Sequence, residues 1–454
     1  MSSTYLTRAF SSSTATTKAT WSFWVKFSAI NTGVSGTGSM FFQARNSSSS
    51  NNYRTYIRYE ENGTLDFICY NATGTKIGEY YTSRVFRDPN AWYHICYSLD
   101  TTLNTASDRL KLYVNGVRVT NFYTGSYTAI GQNETVNTTS SVFTDISRNG
   151  GSAGYYFNGI LSHYILTDGY VYQADTFGST DATTGAWKIN PSPTISNWGT
   201  NGFWILKDGN SVTDSSPNSN NFTVGGGTLT DTKDCPSNVF ATWNPLQATT
   251  AATYDFSAGN TRMAVNDAAV FSLGATLAAT TGKYYMEMKW VQQGGNGSWG
   301  MIPIDTNINN RPRNAGVGWN QGDNAPWLLG SIVSGSWGGS IGTNDIIQLA
   351  MDLDNGAFYF GKNDVWLNSG NPTSGSSKTG AVDFSGTSLF GEQLTFAIGK
   401  GASGTDGWNA NFGNGYFEQT AVADNSTATA STPGVFNYAV PTGYQPLSTK
   451  GLNA

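Results

Sequence analysis

Arg109 to Val119 reads RLKLYVNGVRV. Leu110, Leu112 and Val114 fall on one side of a period-two alternation, Lys111 and Tyr113 on the other, and Val117 and Val119 resume the apolar side after Asn115-Gly116. Asn-Gly between two alternating runs is a strong hairpin signal, because both central residues of a type I′ turn need positive φ. The stretch predicts a two-stranded hairpin with one buried face.

Outward from it, the first part of the chain reads as strand after strand. WSFWVKF (21–27), GSMFFQA (38–44), YRTYIRYEENGTLDFICY (53–70), AWYHICYSLD (91–100) and FNGILSHYILTDG (157–169) are separated by turn residues, and Asn62-Gly63 marks a second hairpin. No segment of ten or more residues repeats apolar positions at helical spacing. Many short strands at regular spacing predict an all-β chain of antiparallel sandwiches. Composition agrees: only 12% of residues are charged and 14% are aromatic, which suits stacked sheets with Thr, Ser and Asn on their outer faces.

The expected organisation is a β-sandwich over 1–175, a turn-rich connector over 176–250 that packs on its neighbours, a second sandwich over 251–420 and a tail over 421–454. GFWILKD (202–208) is the strand-like stretch within the connector, whose Trp187, Trp198, Trp204 and Trp243 argue for packing. TGKYYMEMKWVQQ (281–293), DIIQLAMDLDNGAFYFGKNDVW (345–366) and LTFAIGKG (394–401) are strands of the second sandwich.

The net charge of −5 argues against a nucleic-acid partner, which would need a basic footprint. No stretch reads as a targeting segment or an apolar span, so synthesis in a cytosol and no membrane insertion are expected. Cys69, Cys96 and Cys235 are odd in number and far apart, and read as free thiols rather than a disulfide framework.

The first half resembles the concanavalin A-like jelly rolls of laminin-G type, on WSFWVKF, AWYHICYSLD, LKLYVNGVRV and FNGILSHYILTDGYVY (157–172). The second half is similar to SPRY domains, on GKYYMEMKW, GVGW (316–319), DIIQLAMDLDNGAFYFGKNDVW and NANFGNGYF (409–417). It departs from that family at Phe360-Gly361-Lys362-Asn363, where the usual hairpin has Tyr-Lys-Asn-Gly, so an altered loop is expected there. This order of modules, with SPNSNNFT (216–223), ATWNPL (241–246) and PTGYQPL (441–447) motifs between and after them, resembles tailed-bacteriophage structural proteins. The resemblance implies a virion protein with other virion proteins as partners.

Two pattern matches carry no chemistry. GGSIG (338–342) fits a nucleophile elbow without the strand-to-helix turn, and GKGASG (399–404) fits a dinucleotide loop without a following helix. A glucanase needs paired carboxylates flanking the scissile bond. Glu287 is isolated, and Glu60-Glu61 alternate across a strand end, so no catalytic residue is assigned.

Laminin-G-like domains often hold Ca²⁺, and Asp145 and Asn149 in TDISRNGG offer oxygen ligands. An Asx turn explains the same residues, and no cofactor or metal site is assigned. In SPRY domains, loops at one end of the sandwich form the partner-binding face. Trp299, Trp319, Trp327 and Trp337 stand among Gly, Asn and Ser and are the ligand-binding candidates, although such indoles often cap a core.

The expected function is non-enzymatic: a homo-oligomeric tail fibre or receptor-binding protein in the virion that attaches multivalently to a host-surface glycan or protein. The alternative is a capsid decoration (cement) protein. That reading is favoured by strands that begin near the N-terminus with no heptad shaft before them.

Overall fold

The computed structural model describes residues 3–10, 16–28, 38–46, 53–139, 142–150, 154–207, 211–248, 253–266, 270–294, 296–307, 309–338, 340–401, 404–425 and 434–453. It divides into two compact units, Met1–Asp231 and Thr232–Ala454. The segment expected as a connector is shared between them, 176–231 lying with the first unit and 232–250 with the second. The stretch expected as a tail lies with the second.

In the first unit the early strands are β1 (Tyr5–Arg8), β2 (Lys18–Phe27), β3 (Ser39–Arg45), β4 (Arg54–Tyr59), β5 (Leu65–Tyr70) and β6 (Lys76–Tyr81). They are followed by β7 (Trp92–Asp100), β8 (Leu110–Val114), β9 (Val117–Val119), β10 (Phe143–Ile146) and β11 (Gly159–Asp168). The former connector adds β12 (Gly178–Thr180), β13 (Trp187–Ile189), β14 (Phe203–Ile205) and β15 (Thr223–Gly226).

A seven-stranded sheet runs β15-β1-β10-β3-β4-β5-β6 and a six-stranded sheet runs β14-β11-β2-β7-β8-β9. Their pairings are antiparallel. The two sheets share one core. Trp21, Phe23, Val25 and Phe27 from β2 meet Ile57, Tyr59, Leu65 and Phe67 from β4 and β5. Burying each such side chain stabilises by about 1.5–3 kcal/mol, and Phe23 stacks on Tyr164 at 4.8 Å.

The hairpin that opened the sequence reading is present. Asn115 has φ 49° and Gly116 φ 76°, as a type I′ turn requires. β2 is buried on both faces, because residues of the 172–204 segment cover the outside of the six-stranded sheet. There Cys96, Ile165, Phe177 and Trp204 are buried, with Tyr172, Trp187 and Trp198 packed on them. Cys69 lies in the inter-sheet core and Cys96 in this outer layer, and all three cysteines are free.

The second unit begins with β16 (Thr253–Ser257), β17 (Arg262–Asn266), β18 (Phe271–Gly274), β19 (Lys283–Gln292), β20 (Gly297–Pro303), β21 (Val317–Asn320), β22 (Ala325–Leu328) and β23 (Ser331–Ile332). It continues with β24 (Ile346–Asp352), β25 (Ala357–Lys362), β26 (Val365–Trp366), β27 (Val382–Asp383), β28 (Leu394–Lys400) and β29 (Thr405–Asn411). One sheet runs β16-β17-β29-β19-β24-β25-β26, with β27 beside β25 and Gln445–Pro446 parallel to β19. The other runs β18-β28-β20-β21-β22-β23.

The altered SPRY-like hairpin turns at Asn363-Asp364, both at positive φ (49° and 68°). Among the described residues α-helix is limited to the single turn Pro312–Ala315, and no helix is long and apolar enough to cross a membrane.

Candidate functional site

Three of the four candidate tryptophans are core residues. Trp299 and Trp319 are 0% exposed and Trp337 4%. Trp299 lies opposite Trp319 in the β20–β21 register, their rings parallel within 9° at 6.5 Å. Trp290 of the facing sheet packs on Trp299 at 5.4 Å. The expectation of exposed indoles is corrected here: alternation along β20 and β21 turns Trp299 and Trp319 inward, and Trp337, on the loop before β24, folds onto Trp319 and Phe360 with its Nε1 donating to Val333 O.

Trp327 is on the other face, half-buried. The register explains its position. Gly274, Ala397, Gly300, Gly318, Trp327 and Ile332 lie opposite one another across six strands, so one outer row is small at its start and large at its end. The turn Pro312–Ala315 packs on that small-residue face. A Cβ on Gly318 would stand 2.3 Å from the Arg313 amide nitrogen, and one on Gly399 2.7 Å from Pro312 Cδ.

The turn brings the Arg313 guanidinium 4.5 Å over the Trp327 ring. Trp327 Nε1 donates to Asp323 Oδ2 (3.0 Å), which also faces Arg313 (3.4 Å). Beside them Ile332 is 57% exposed. The result is a small platform of one indole, one ion pair and one exposed aliphatic side chain.

The calcium candidates hold other partners. Asp145 is buried on β10, and Arg148 donates to its Oδ2 through Nη2 (2.7 Å) and Nε (3.1 Å). Asn149 Oδ1 accepts from Gln43 Nε2 (3.3 Å), while Gln43 Oε1 accepts from Gly150 N (2.8 Å). A cation at Asp145 would meet a guanidinium already in place. Among the described residues no three His, Cys, Asp or Glu side chains gather to hold a metal.

The larger site was missed by the sequence reading. It is the outer face of the seven-stranded sheet in the first unit, where registered strands set side chains in three rows. One row is Phe143, Arg45, Arg54, Tyr70 and Lys76. The middle row is Thr7, Asp145, Gln43, Tyr56, Ile68 and Glu79. The third is Met40, Arg58, Asp66 and Tyr81.

Guanidinium groups lie over the rings: Arg54 over Tyr70 at 4.4 Å and Tyr56 at 5.4 Å, Arg58 over Tyr56 at 5.3 Å, Arg45 over Phe143 at 5.5 Å, and Arg148 over Tyr5 at 3.7 Å. The signal was present in RTYIRYEE: Arg54, Tyr56, Arg58 and Glu60 recur at period two, so one strand presents all four on one face.

Within this face Asp66 is buried, hydrogen-bonds Glu60 and meets Arg58 Nη2 at 3.3 Å, while Arg58 Nε contacts Glu60. Burial, reinforced by Glu60 and opposed by Arg58, pushes the Asp66 carboxyl up to about 8. Burial also raises Glu60. Both carboxyls therefore hold a proton more readily than free acids do.

The remaining ionisable candidates are structural. Glu287 accepts from Asn437 N (2.7 Å), Tyr438 N (2.8 Å), Tyr285 Oη (3.0 Å) and Asn411 Nδ2 (3.3 Å), so it clasps the C-terminal segment. His94 is buried between Trp24 (5.1 Å) and Trp187 (5.9 Å). Trp187 Nε1 donates to His94 Nδ1 (3.1 Å), and Ser22 Oγ is 2.9 Å from Nε2. Burial pushes its imidazole down to about 3.

None of the curated proteins matches this chain. Among solved structures it is similar to the SPRY domain of human HERC1, at 13% identity over 37% of this chain and 96% of that one, with a TM-score of 0.29. It is also similar to the native heptameric SAP-like pentraxin from Limulus polyphemus (15% identity, 37% and 71% of the two chains, TM-score 0.27). The TRIM65 PSpry domain matches at 12% identity over 37% and 90%, with a TM-score of 0.27. Residues 2–175 match the family model of the concanavalin A-like lectin/glucanases superfamily, in keeping with two packed antiparallel sheets.

Proposed function

We propose that this chain is a non-catalytic recognition protein of a tailed-bacteriophage particle, attaching to a glycan or protein of the host surface. The observation that carries the recognition reading is the outer face of the seven-stranded sheet, where Arg45, Arg54, Arg58 and Arg148 lie against Tyr5, Tyr56, Tyr70 and Phe143. Arg45 and Tyr56 are buried in this face, while Arg54, Arg58, Arg148, Tyr5, Tyr70 and Phe143 are half-buried and reach the surface; there the rings supply flat apolar area and the guanidinium forks directed donors, the pair of features that grips a sugar or a polar protein epitope. Strands hold all of these but Arg148, which follows β10, more rigidly than loops would. The Trp327 platform of the second unit is a smaller surface of the same kind.

Catalysis is not favoured by the acids present. A retaining glycosidase needs one ionised nucleophile and one separate acid flanking the bond. Glu60 and Asp66 are instead hydrogen-bonded to each other and held by Arg58. The assignment to a phage particle is supported by the order of sequence motifs alone.

The test is binding of the labelled full chain to intact host cells, before and after periodate oxidation of their glycans. Binding that periodate abolishes supports glycan attachment, periodate-resistant binding supports a protein receptor, and no binding refutes recognition. Copy number per purified particle separates the positions. A number matching tail symmetry supports attachment, one near that of the capsid subunit supports the decoration reading, and absence refutes both.

A further inference from the structure

We propose that the outer face of the second unit's six-stranded sheet carries a site for an acidic sugar, a pyranose bearing a carboxylate beside its hydroxyls, at Arg311, Arg313, Asn320 and Asp323. The inference rests on the recognition reading above, applies it to the second unit and gives it a ligand class.

The site is built on the β20–β21 pair. Ser298 and Asn320 lie opposite each other, two residues along from Gly300 and Gly318 and therefore on the same outer face, and both are buried. Residues 310–313 cross that face. Asn310 O accepts from Ser272 Oγ (2.6 Å), Pro312 lies on Gly399, and the Arg313 backbone lies on Gly318. Arg311 and Arg313 thus flank Pro312 above the buried pair. Asp323, in the turn between β21 and β22, ties Asn320 to Arg313: its Oδ2 accepts from Asn320 Nδ2 and from Arg313 Nη1 (3.4 Å).

Hydrogen bonding in this corner is incomplete. Asn320 is 1% exposed, and while its Nδ2 donates to Asp323, its Oδ1 accepts from nothing among the described residues. Arg311 Nε and Nη1 and Arg313 Nε are likewise buried with no acceptor among them. A Cβ on Gly401 would stand 1.9 Å from Arg311 Nη1, so this guanidinium rests against bare backbone. Unpaired groups of this kind cost free energy that water or a ligand recovers. Arg311 and Arg313 are both half-buried, so neither is closed off from solvent.

The charges and the spare acceptors select the ligand. Burial, and after it the Arg313 charge, lower the Arg311 guanidinium, with Asp323 opposing. Two guanidiniums therefore answer to one carboxylate, and an added carboxylate completes the balance through charge-assisted hydrogen bonds. Asp323 takes its three side-chain donors, from Trp327, Asn320 and Arg313, on Oδ2. This leaves Oδ1, on a side chain 37% exposed, to accept from a hydroxyl, and Asn320 Oδ1 is a second acceptor. Donors for a carboxylate beside acceptors for hydroxyls fit an acidic pyranose better than a bare anion or a neutral sugar. The exposed Ile332 and half-buried Trp327 supply apolar contact for the C–H groups of its ring.

The test is ligand-observed saturation-transfer NMR of the full chain with D-glucuronate and N-acetylneuraminate, against D-glucose, acetate and inorganic phosphate at matched concentration. Variants Arg311→Gln and Arg313→Gln are compared with the parent after matched circular dichroism and melting profiles establish folding, and either alone decides if the other fails to fold. The expected result is salt-sensitive binding of an acidic sugar and none of glucose, acetate or phosphate. Affinity should fall about fivefold or more in each variant.

Equal binding of glucose overturns the inference by removing the need for a carboxylate. Equal binding of acetate or phosphate overturns it by showing an anion site only. Binding of acidic sugars that the variants leave unchanged overturns it by placing that binding elsewhere. Binding of no probe also overturns it, and the host-cell assay then judges the broader reading separately: attachment that persists in Arg311→Gln leaves recognition standing, carried by the first unit's face.

Discussion

Acidification from pH 6.5 to 5 should leave the parent protein's first unit nearly unchanged in stability, because two buried groups in it have opposing proton linkages. His94 is held neutral: Nδ1 accepts from Trp187 Nε1, so protonation there would set two donors face to face. Its folded pKa of about 3 lies below the unfolded value of ~6.5. The unfolded state therefore binds the extra proton, and this stability is lost as pH falls from 6.5 toward 3. Asp66 behaves oppositely. Its folded pKa of about 8 exceeds an unfolded ~3.9, so the folded state keeps a proton and its contribution grows as pH falls from 8 toward 4.

Each linkage is worth about 1.4 kcal/mol per pH unit, or roughly 2 kcal/mol between pH 6.5 and 5. In Asp66→Asn the compensation disappears, and stability should fall by about 2 kcal/mol over that interval. In His94→Gln it should rise by a similar amount. The measurement is urea-dependent pulse proteolysis of the full chain, with loss of peptides from residues 1–231 followed by mass spectrometry. A flat profile in Asp66→Asn would refute the claim that burial keeps His94 neutral.

Trp187→Ala uncovers His94 and should destabilise the first unit by about 2 kcal/mol in the same assay, with His94 then titrating nearer its ordinary value. Glu287→Ala removes the acceptor for two backbone amides, so residues 434–446 should lose hydrogen-exchange protection while β19 and β24 keep theirs. Gly318→Ala drives a methyl into the Arg313 backbone and should lower stability by about 2 kcal/mol, read as a drop in Tm. Trp327→Ala should leave Tm within a few degrees and weaken host-cell binding only if the second unit contributes to attachment.

Alternation and turn chemistry made the long strands legible. RLKLYVNGVRV and DIIQLAMDLDNGAFYFGKNDVW are hairpins in the structure, as their sequences predict. At Asn62-Gly63 only Gly63 takes positive φ, while Asn62 Oδ1 accepts from Thr64, so the hairpin forms with a different turn. β12 to β15 were obscured because three or four residues among Ser, Gly and Asn carry no visible period, and partner strands determine their pairing.

The tryptophan candidates misled for a physical reason. Gly300 and Gly318 resemble loop glycines, yet they are strand residues, Gly318 kept small by the Pro312–Ala315 turn and Gly300 by the Val317 carbonyl of the neighbouring strand, while their neighbours Trp299 and Trp319 fill the core. The arginine–aromatic face was written in the period of RTYIRYEE. Its assembly with Arg45, Phe143 and Arg148 depends on long-range register that local pattern cannot supply.

The two closing strands bear on how this chain is synthesised. β14 borders β11 and β15 borders β1, so each sheet of the first unit receives an edge strand encoded after residue 200. At about 5–20 residues per second, the ribosome leaves β11 and β1 without these neighbours for several seconds after the family-matched segment has emerged. A recombinant fragment ended at residue 175 would make that interval permanent, with two bare strand edges able to recruit other chains. Ending it at 231 keeps both edges covered.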